Sequence, residues 1–177
     1  TCESSKNGQI IIWDVMEGKK AVSFKSTSES IISVAFNADC SLFATVGLDS
    51  QRRIQIIVWD LKMLLLEKII NKESAGQTPV SITVNSKQSY AVVDGHVTNS
   101  IMTYPSGVVV AKQLSDFHIS KIYFSPFEDG TLVSCGRENI RFWRMKKGHL
   151  PGRPIPLNDY SRGYVFSDIA FSSDLGS

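Results

Sequence analysis

A few side chains in this chain have chemistry suited to catalysis or metal binding. Ser115-Asp116-Phe117-His118 contains the three residue types of a hydrolase triad. A triad is assembled from residues held in a defined geometry, however, and sequence neighbours without a nucleophile elbow do not supply it. The three histidines, His96, His118 and His149, have no metal-ligand spacing, and no Gly-rich phosphate loop is present. The residues therefore predict no enzyme, no metal and no cofactor.

Composition and charge narrow the class of protein further. The 177 residues are 42% hydrophobic and 20% charged, which is typical of a soluble globular chain. The formal net charge of +2 is too small to indicate a nucleic acid, a membrane surface or an acidic small-molecule substrate as ligand. No apolar stretch reaches the roughly 18 residues that cross a bilayer. The three cysteines include no CxxC pair, which favours a reducing, cytoplasmic compartment.

Paired basic residues are the better candidates for binding. They occur as Lys19-Lys20, Arg52-Arg53 and Lys146-Lys147. Turns on one face of a folded domain can gather such pairs into a patch for an acidic polymer, and electrostatic contacts of this kind steer association. The alternative is a scatter of solvated charges balanced by 17 acidic residues. Arg52-Arg53 is the strongest of the three pairs because it is expected in an exposed turn.

One apolar strand pattern recurs along the chain. Its copies are Ile11-Ile12-Trp13-Asp14, Ile56-Ile57-Val58-Trp59-Asp60 and Ile140-Arg141-Phe142-Trp143-Arg144. The first two tryptophans are 46 residues apart and the last two are 84 apart, or two units of 42. A further copy is therefore expected near position 101, where Thr103 and Tyr104 take the places of Trp and Asp.

A second recurring pattern supports the same repeat. It alternates polar and apolar residues, as a strand with one buried face does. The copies are Ser33-Val34-Ala35-Phe36, Ser81-Ile82-Thr83-Val84, Lys121-Ile122-Tyr123-Phe124 and Asp168-Ile169-Ala170-Phe171. A turn, a second strand, another turn, the Trp-containing strand and an outer strand follow each copy. Four short strands in 40 to 48 residues are typical of a blade of an all-β propeller.

The repeat predicts a partial propeller over residues 1–177. We expect a blade fragment at 1–24, blades at about 25–70, 71–112 and 113–147, a loop at 148–162, and the start of another blade at 163–177. Because a closed ring needs about four to eight blades, the chain is expected to be about half of a larger ring. A closed ring of four or five blades is the open alternative.

The blades resemble WD40 repeats. Residues 42–49 followed by Ile57-Val58-Trp59-Asp60 are similar to the first atypical propeller of the echinoderm microtubule-associated-protein-like family. Residues 131–136 followed by Ile140-Arg141-Phe142-Trp143 are a closer match. Related repeats occur in WD-repeat proteins of cilia, flagella and centrioles. The resemblance covers about residues 8–171.

The chain also departs from the WD40 pattern. No blade has the usual Gly-His dipeptide, so the His–Ser/Thr–Asp–Trp hydrogen-bond network cannot be complete. Thr45, Asp49 and Trp59 could form part of it. The tryptophans are expected in the core between sheets. The residues expected to build the repeat are Trp13, Asp14, Phe36, Asp49, Trp59, Asp60, Phe124, Trp143 and Phe171.

The resemblance implies a non-catalytic scaffold. Its partners would be proteins, with tubulin or other axonemal or centriolar proteins as the expected ones, at the cytoskeleton of a cilium, flagellum or centriole. The alternative is a peptide-binding adaptor in a signalling or ubiquitin-ligase complex. Neither interpretation involves a small-molecule substrate.

Overall fold

The computed structural model describes residues 2–4, 8–37, 39–61, 65–72, 78–85, 89–94, 98–103 and 106–172. These residues form antiparallel sheets that follow one another along the chain. The first sheet contains β1 (Cys2–Ser4), β2 (Gln9–Asp14) and β3 (Lys19–Lys25). The second contains β4 (Ser30–Phe36), β5 (Leu42–Leu48), β6 (Ile54–Asp60) and β7 (Leu65–Lys72). The all-β class predicted from the repeat is confirmed.

The third and fourth sheets repeat the plan of the second. The third contains β8 (Pro79–Val84), β9 (Ser89–Asp94), β10 (Thr98–Thr103) and β11 (Val109–Leu114). The fourth contains β12 (Ile119–Phe124), β13 (Thr131–Gly136), β14 (Asn139–Arg144) and β15 (Gly152–Pro154). A single turn of 3-10 helix follows at Asn158–Ser161. Each sheet is a meander in which strands adjacent in sequence pair with each other.

A bulge recurs between the first two strands of the second, third and fourth sheets. The pairing shifts by one residue at Ile31/Ser33, Pro79/Ser81 and Ile119/Lys121. The facing residue is a glycine in two of the three sheets, Gly47 and Gly136. A Cβ atom at either glycine would overlap backbone, at the carbonyl oxygen of Ser30 on β4 or of His118 directly before β12. These two glycines therefore permit the close approach of backbone that the bulge needs.

Neighbouring sheets pack face to face and share hydrogen bonds between their first strands. The amide of Ile82 donates to the hydroxyl of Ser33 at 3.4 Å, and the amide of Ile122 donates to the hydroxyl of Ser81 at 3.4 Å. Ser33 and Ser81 occupy the same position in successive sheets. The same link thus joins the second sheet to the third and the third to the fourth.

The structure corrects three details of the repeat. Residues 148–162, expected as a loop, include the outer strand β15, which pairs with β14 at Trp143 and Gly152. Within the described part of 163–177, no strand forms after the bridge at Val165, so the expected first strand at Asp168–Phe171 is not present there as a ladder. The Trp position of the third sheet is Met102 and not Thr103, because the register pairs Met102 with Tyr90 as it pairs Trp59 with Phe43.

Replacing Gly136 with Ala should lower the free energy of unfolding by about 3 kcal/mol or more, because the added methyl group overlaps the backbone at His118. Gly18 has a positive φ of 63° and open space around its Cβ position. Gly18→Ala should therefore cost only the conformational strain, about 1 kcal/mol. Urea unfolding of both variants measures the difference. Equal losses would mean that the close contact at Gly136 does not constrain the fold.

Candidate protein-binding surfaces

In the second, third and fourth sheets, the side chain at the Trp position packs onto the sheet before it. Trp59 belongs to a core cluster with Ile10 of the first sheet. Met102 packs with residues of the second sheet, and Trp143 packs with Ile101 of the third. Their exposed fractions are 5%, 2% and 1%. These positions are therefore structural.

Trp13 occupies the same position in the first sheet but is 38% exposed. Trp13 pairs with Lys20 on β3, just as Trp59 pairs with Leu66 on β7 in the second sheet. The first sheet has no preceding sheet within the described residues, so nothing there covers this face of Trp13. The expected role of Trp13 as a core residue of the repeat stays a prediction.

Both buried tryptophans donate to a hydroxyl group on the neighbouring strand. The indole Nε1 of Trp143 donates to Ser134 Oγ at 2.7 Å, and that of Trp59 donates to Thr45 Oγ1 at 3.3 Å. At the position of Thr45 and Ser134, the third sheet has Val92, as the strand registers show. Valine has no hydroxyl, and the corresponding core residue is Met102, which has no N–H to donate.

Asp49 organises the turn that carries the Arg52-Arg53 pair. Its carboxylate accepts hydrogen bonds from the backbone amides of Gln51 and Arg53, and its Oδ2 lies 2.8 Å from a terminal guanidinium nitrogen of Arg53. Although desolvation raises the pKa of Asp49, the hydrogen bonds from Arg53 and Gln51 outweigh it, so the pKa lies below its ordinary value. Arg53 therefore serves the turn, and Arg52, with a φ of 58°, is the exposed member of the pair.

Lys146 and Lys147 lie on a tight turn between β14 and β15. The backbone amides and carbonyls of Lys146 and His149 hydrogen-bond to each other at 2.9 and 2.8 Å. Lys147 and Gly148, which lie between these two residues, have φ values of 39° and 85°, respectively. Positive φ at both central residues is the geometry of a type I′ turn. Both lysine side chains are exposed.

The remaining repeat residues lie at strand ends or in aromatic contacts. Asp14 closes its strand by accepting the amides of Met16 and Glu17, and Asp60 ends β6. Phe36 lies 5.6 Å from the Phe43 ring, which stacks on Trp59. Phe124 packs at the edge of the core between the third and fourth sheets. None of these side chains lies in an arrangement suited to acid–base chemistry.

The segment from 163 to 172 lies across the outer face of the fourth sheet. The Tyr123 hydroxyl donates to Asp168 at 2.8 Å, and Phe171 makes an edge contact with the Tyr123 ring at 6.5 Å. The Cys135 thiol, whose pKa burial raises to about 11, donates to the carbonyl oxygen of Phe166 at 3.4 Å. This segment therefore packs where the first strand of a following blade is expected.

Asp116, which belongs to the triad-like sequence 115–118, has a structural role. Asp116 forms a two-pronged ion pair with Arg141, at 2.6 and 3.2 Å, and this contact lowers the Asp116 pKa. Arg141 lies between the rings of Phe117 and Trp143. His96 lies outside the described residues. Within the described ranges, no three His, Cys, Asp or Glu side chains group as metal ligands, and no helix is long and apolar enough to cross a membrane.

Solved structures share this architecture. A chain from the crystal structure of a mitotic checkpoint complex superposes with a TM-score of 0.67 over 89% of this chain and 49% of its own length, at 16% identity. The structure of U3-55K gives a TM-score of 0.67 over 85% of this chain and 47% of that one, at 12% identity. Both are WD40 propellers. The chain therefore has the fold of part of a WD40-type β-propeller.

Curated relatives point in the same direction. WD repeat-containing protein 90 is 23% identical over 98% of the chain in Xenopus tropicalis and 26% identical over 93% in Mus musculus. Centriole proteome protein 16 of Chlamydomonas reinhardtii is 21% identical over 99% of the chain. The chain spans about 7% of the length of each of these relatives. No family model matches the sequence.

Trp143→Ala should lower the free energy of unfolding by about 3–5 kcal/mol, because a fully buried indole and its hydrogen bond to Ser134 are lost. Trp13→Ala is the matched control. It should cost about 1 kcal/mol or less, since Trp13 is already partly solvated. Urea unfolding compares the two variants, and near-wild-type stability of Trp143→Ala would contradict the packing described for this position.

Tyr123 should resist ionisation. Burial, followed by its hydrogen bond to the Asp168 carboxylate, raises the pKa of Tyr123 to about 12. The contact should therefore persist below the ordinary tyrosine pKa and be lost as the pH rises through about 12. Near-ultraviolet absorbance at about pH 11 should show more ionised tyrosine in Asp168→Asn than in the wild type. Asp159→Asn, a carboxylate with no contact to Tyr123, is the control, and equal absorbance in all three proteins would refute the link.

Proposed function

We propose that this propeller segment belongs to a non-catalytic scaffold that acts at the microtubules of a centriole, cilium or flagellum. The match to a protein named for the centriole proteome, over 99% of the chain, is the observation that carries the proposal. The buried hydroxyls and tryptophans serve packing, so turns and sheet edges are the surfaces left for partners.

The mechanism we propose is rigid display. The stacked sheets hold many turns in fixed positions, so little conformational entropy is lost when several modest contacts form at once. The tight turn at Lys146-Lys147 and the Asp49-braced turn at Arg52 are ordered in this way. Cationic turns of this kind complement an acidic protein surface, which is the chemistry expected of a microtubule-bound partner.

A direct test is co-sedimentation of the full-length protein with stabilised microtubules. We expect pelleting at low salt that weakens as salt is raised toward physiological strength, since exposed charge contacts are screened. Arg52→Glu should reduce pelleting further. Arg53 is unsuited to this test because its replacement would remove the ion pair that braces the Asp49 turn.

Lys19→Glu is the matched control, because Lys19 already pairs with Glu17 on the first sheet. Absence of pelleting at low salt would refute direct microtubule binding. It would favour the second candidate, an adaptor that binds a peptide of another protein in a signalling or ubiquitin-ligase complex.

A further inference from the structure

We propose that a groove between the third and fourth sheets binds an extended acidic peptide segment that carries an apolar side chain. The groove, called here the rim groove, is lined by Gln113, Met145, Lys146, Lys147, His149 and Pro151, and its volume is about 710 Å³. The inference rests on the proposed function as a protein-binding scaffold and names the chemistry of one partner. Both walls belong to sheets within the described chain.

The rim groove is built on ordered backbone. One wall is the outer strand β11 and the other is the type I′ turn at 146–149, closed by two backbone hydrogen bonds. A Cβ at Gly148 would lie 3.8 Å from the carbonyl oxygen of Val110, so the turn sits beside β11. Leu150, directly after the turn, is fully buried and anchors it in the core. The lysines are therefore presented from a fixed position.

The fourth sheet carries the positive charge of the chain. Residues 115–155 contain seven Lys and Arg against four Asp and Glu, whereas the whole chain has a net charge of only +2. Two of the four acids are already neutralised, since Asp116 pairs with Arg141 and Glu128 pairs with Arg144. The lining of the rim groove includes no acidic residue.

Three cations at this end of the fourth sheet have no acidic partner among the described residues: Lys146, Lys147 and Arg153. Arg153 lies on β15, opposite Phe142 in the register, and lines a neighbouring cavity together with Lys146, so Lys146 connects the rim groove to a third positive charge. A set of charges of this kind matches a segment with several carboxylates better than it matches one compact anion. Charge complementarity therefore selects an acidic chain as the occupant.

The apolar residues that line the rim groove favour an apolar side chain on the bound peptide as well. Met145 is 39% exposed, and Met145 and Pro151 are the apolar residues of the lining. Methionine is unbranched and adapts to different apolar shapes. The turn amides of Lys146 and His149 are occupied by their mutual hydrogen bonds, so they do not form a backbone cradle for phosphate. These features favour a peptide over a nucleic acid.

The test uses the full-length protein and a fluorescein-labelled peptide of glutamates with one central leucine, followed by fluorescence anisotropy. Lys146→Glu/Lys147→Glu should weaken binding by about 10-fold, because two attractive contacts become repulsive. Lys19→Glu/Lys20→Glu makes the same change of charge on the first sheet and should leave binding unchanged. Both pairs are exposed, and circular dichroism checks that the fold is retained.

A second variant tests whether Met145 contributes to binding of the apolar side chain. Met145→Ser should weaken binding of the leucine-bearing peptide about 3-fold and leave the all-glutamate peptide unaffected. Equal effects of the two charge reversals would overturn the proposal, as would tighter binding of a single-stranded RNA of the same length. Peptide binding that persists without microtubule pelleting supports the rim groove and refutes the microtubule assignment alone. Pelleting without peptide binding refutes the rim groove alone.

Discussion

Trp59, Met102 and Trp143 each fill the space between their own sheet and the sheet before it. One four-stranded sheet cannot bury both of its faces, so each sheet depends on this contact with its neighbour. The nearly complete burial of all three side chains shows that the contact is made at every junction between the described sheets. Stability in such a row is close to a sum of nearest-neighbour terms.

The same constraint decides which residues remain for binding. Side chains at the junctions are used for packing and for the hydroxyl bonds to Ser134 and Thr45. Side chains on the turns and outer strands are not used for this packing. The sheets nevertheless hold the backbones of the turns and outer strands in place. The Asp49 turn and the 146–149 turn are both braced internally, by side-chain and backbone hydrogen bonds respectively. These turns therefore present preformed surfaces.

Charge is distributed unevenly on those surfaces, and ion pairs make the distribution sharper. Arg53, Arg141 and Arg144 each pair with an acid, so these arginines contribute to structure more than to any ligand. Lys146, Lys147 and Arg153, at the end of the fourth sheet, have no acidic partner among the described residues. A propeller segment with nearly balanced total charge can thus carry a locally cationic groove.

The sequence by itself determined the repeat, the all-β class and the four-strand plan of the sheets, because periodicity and turn residues are local properties. It placed the third Trp position one residue late, at Thr103 and not Met102, since only strand register identifies the side chain that faces the preceding sheet. It also missed β15, whose three residues form a strand only because β14 offers an unpaired edge. Tertiary structure alone decided that Arg53 is paired while Lys146 and Lys147 have no acidic partner in the described part of the chain, because ion pairs depend on distances that sequence spacing does not specify.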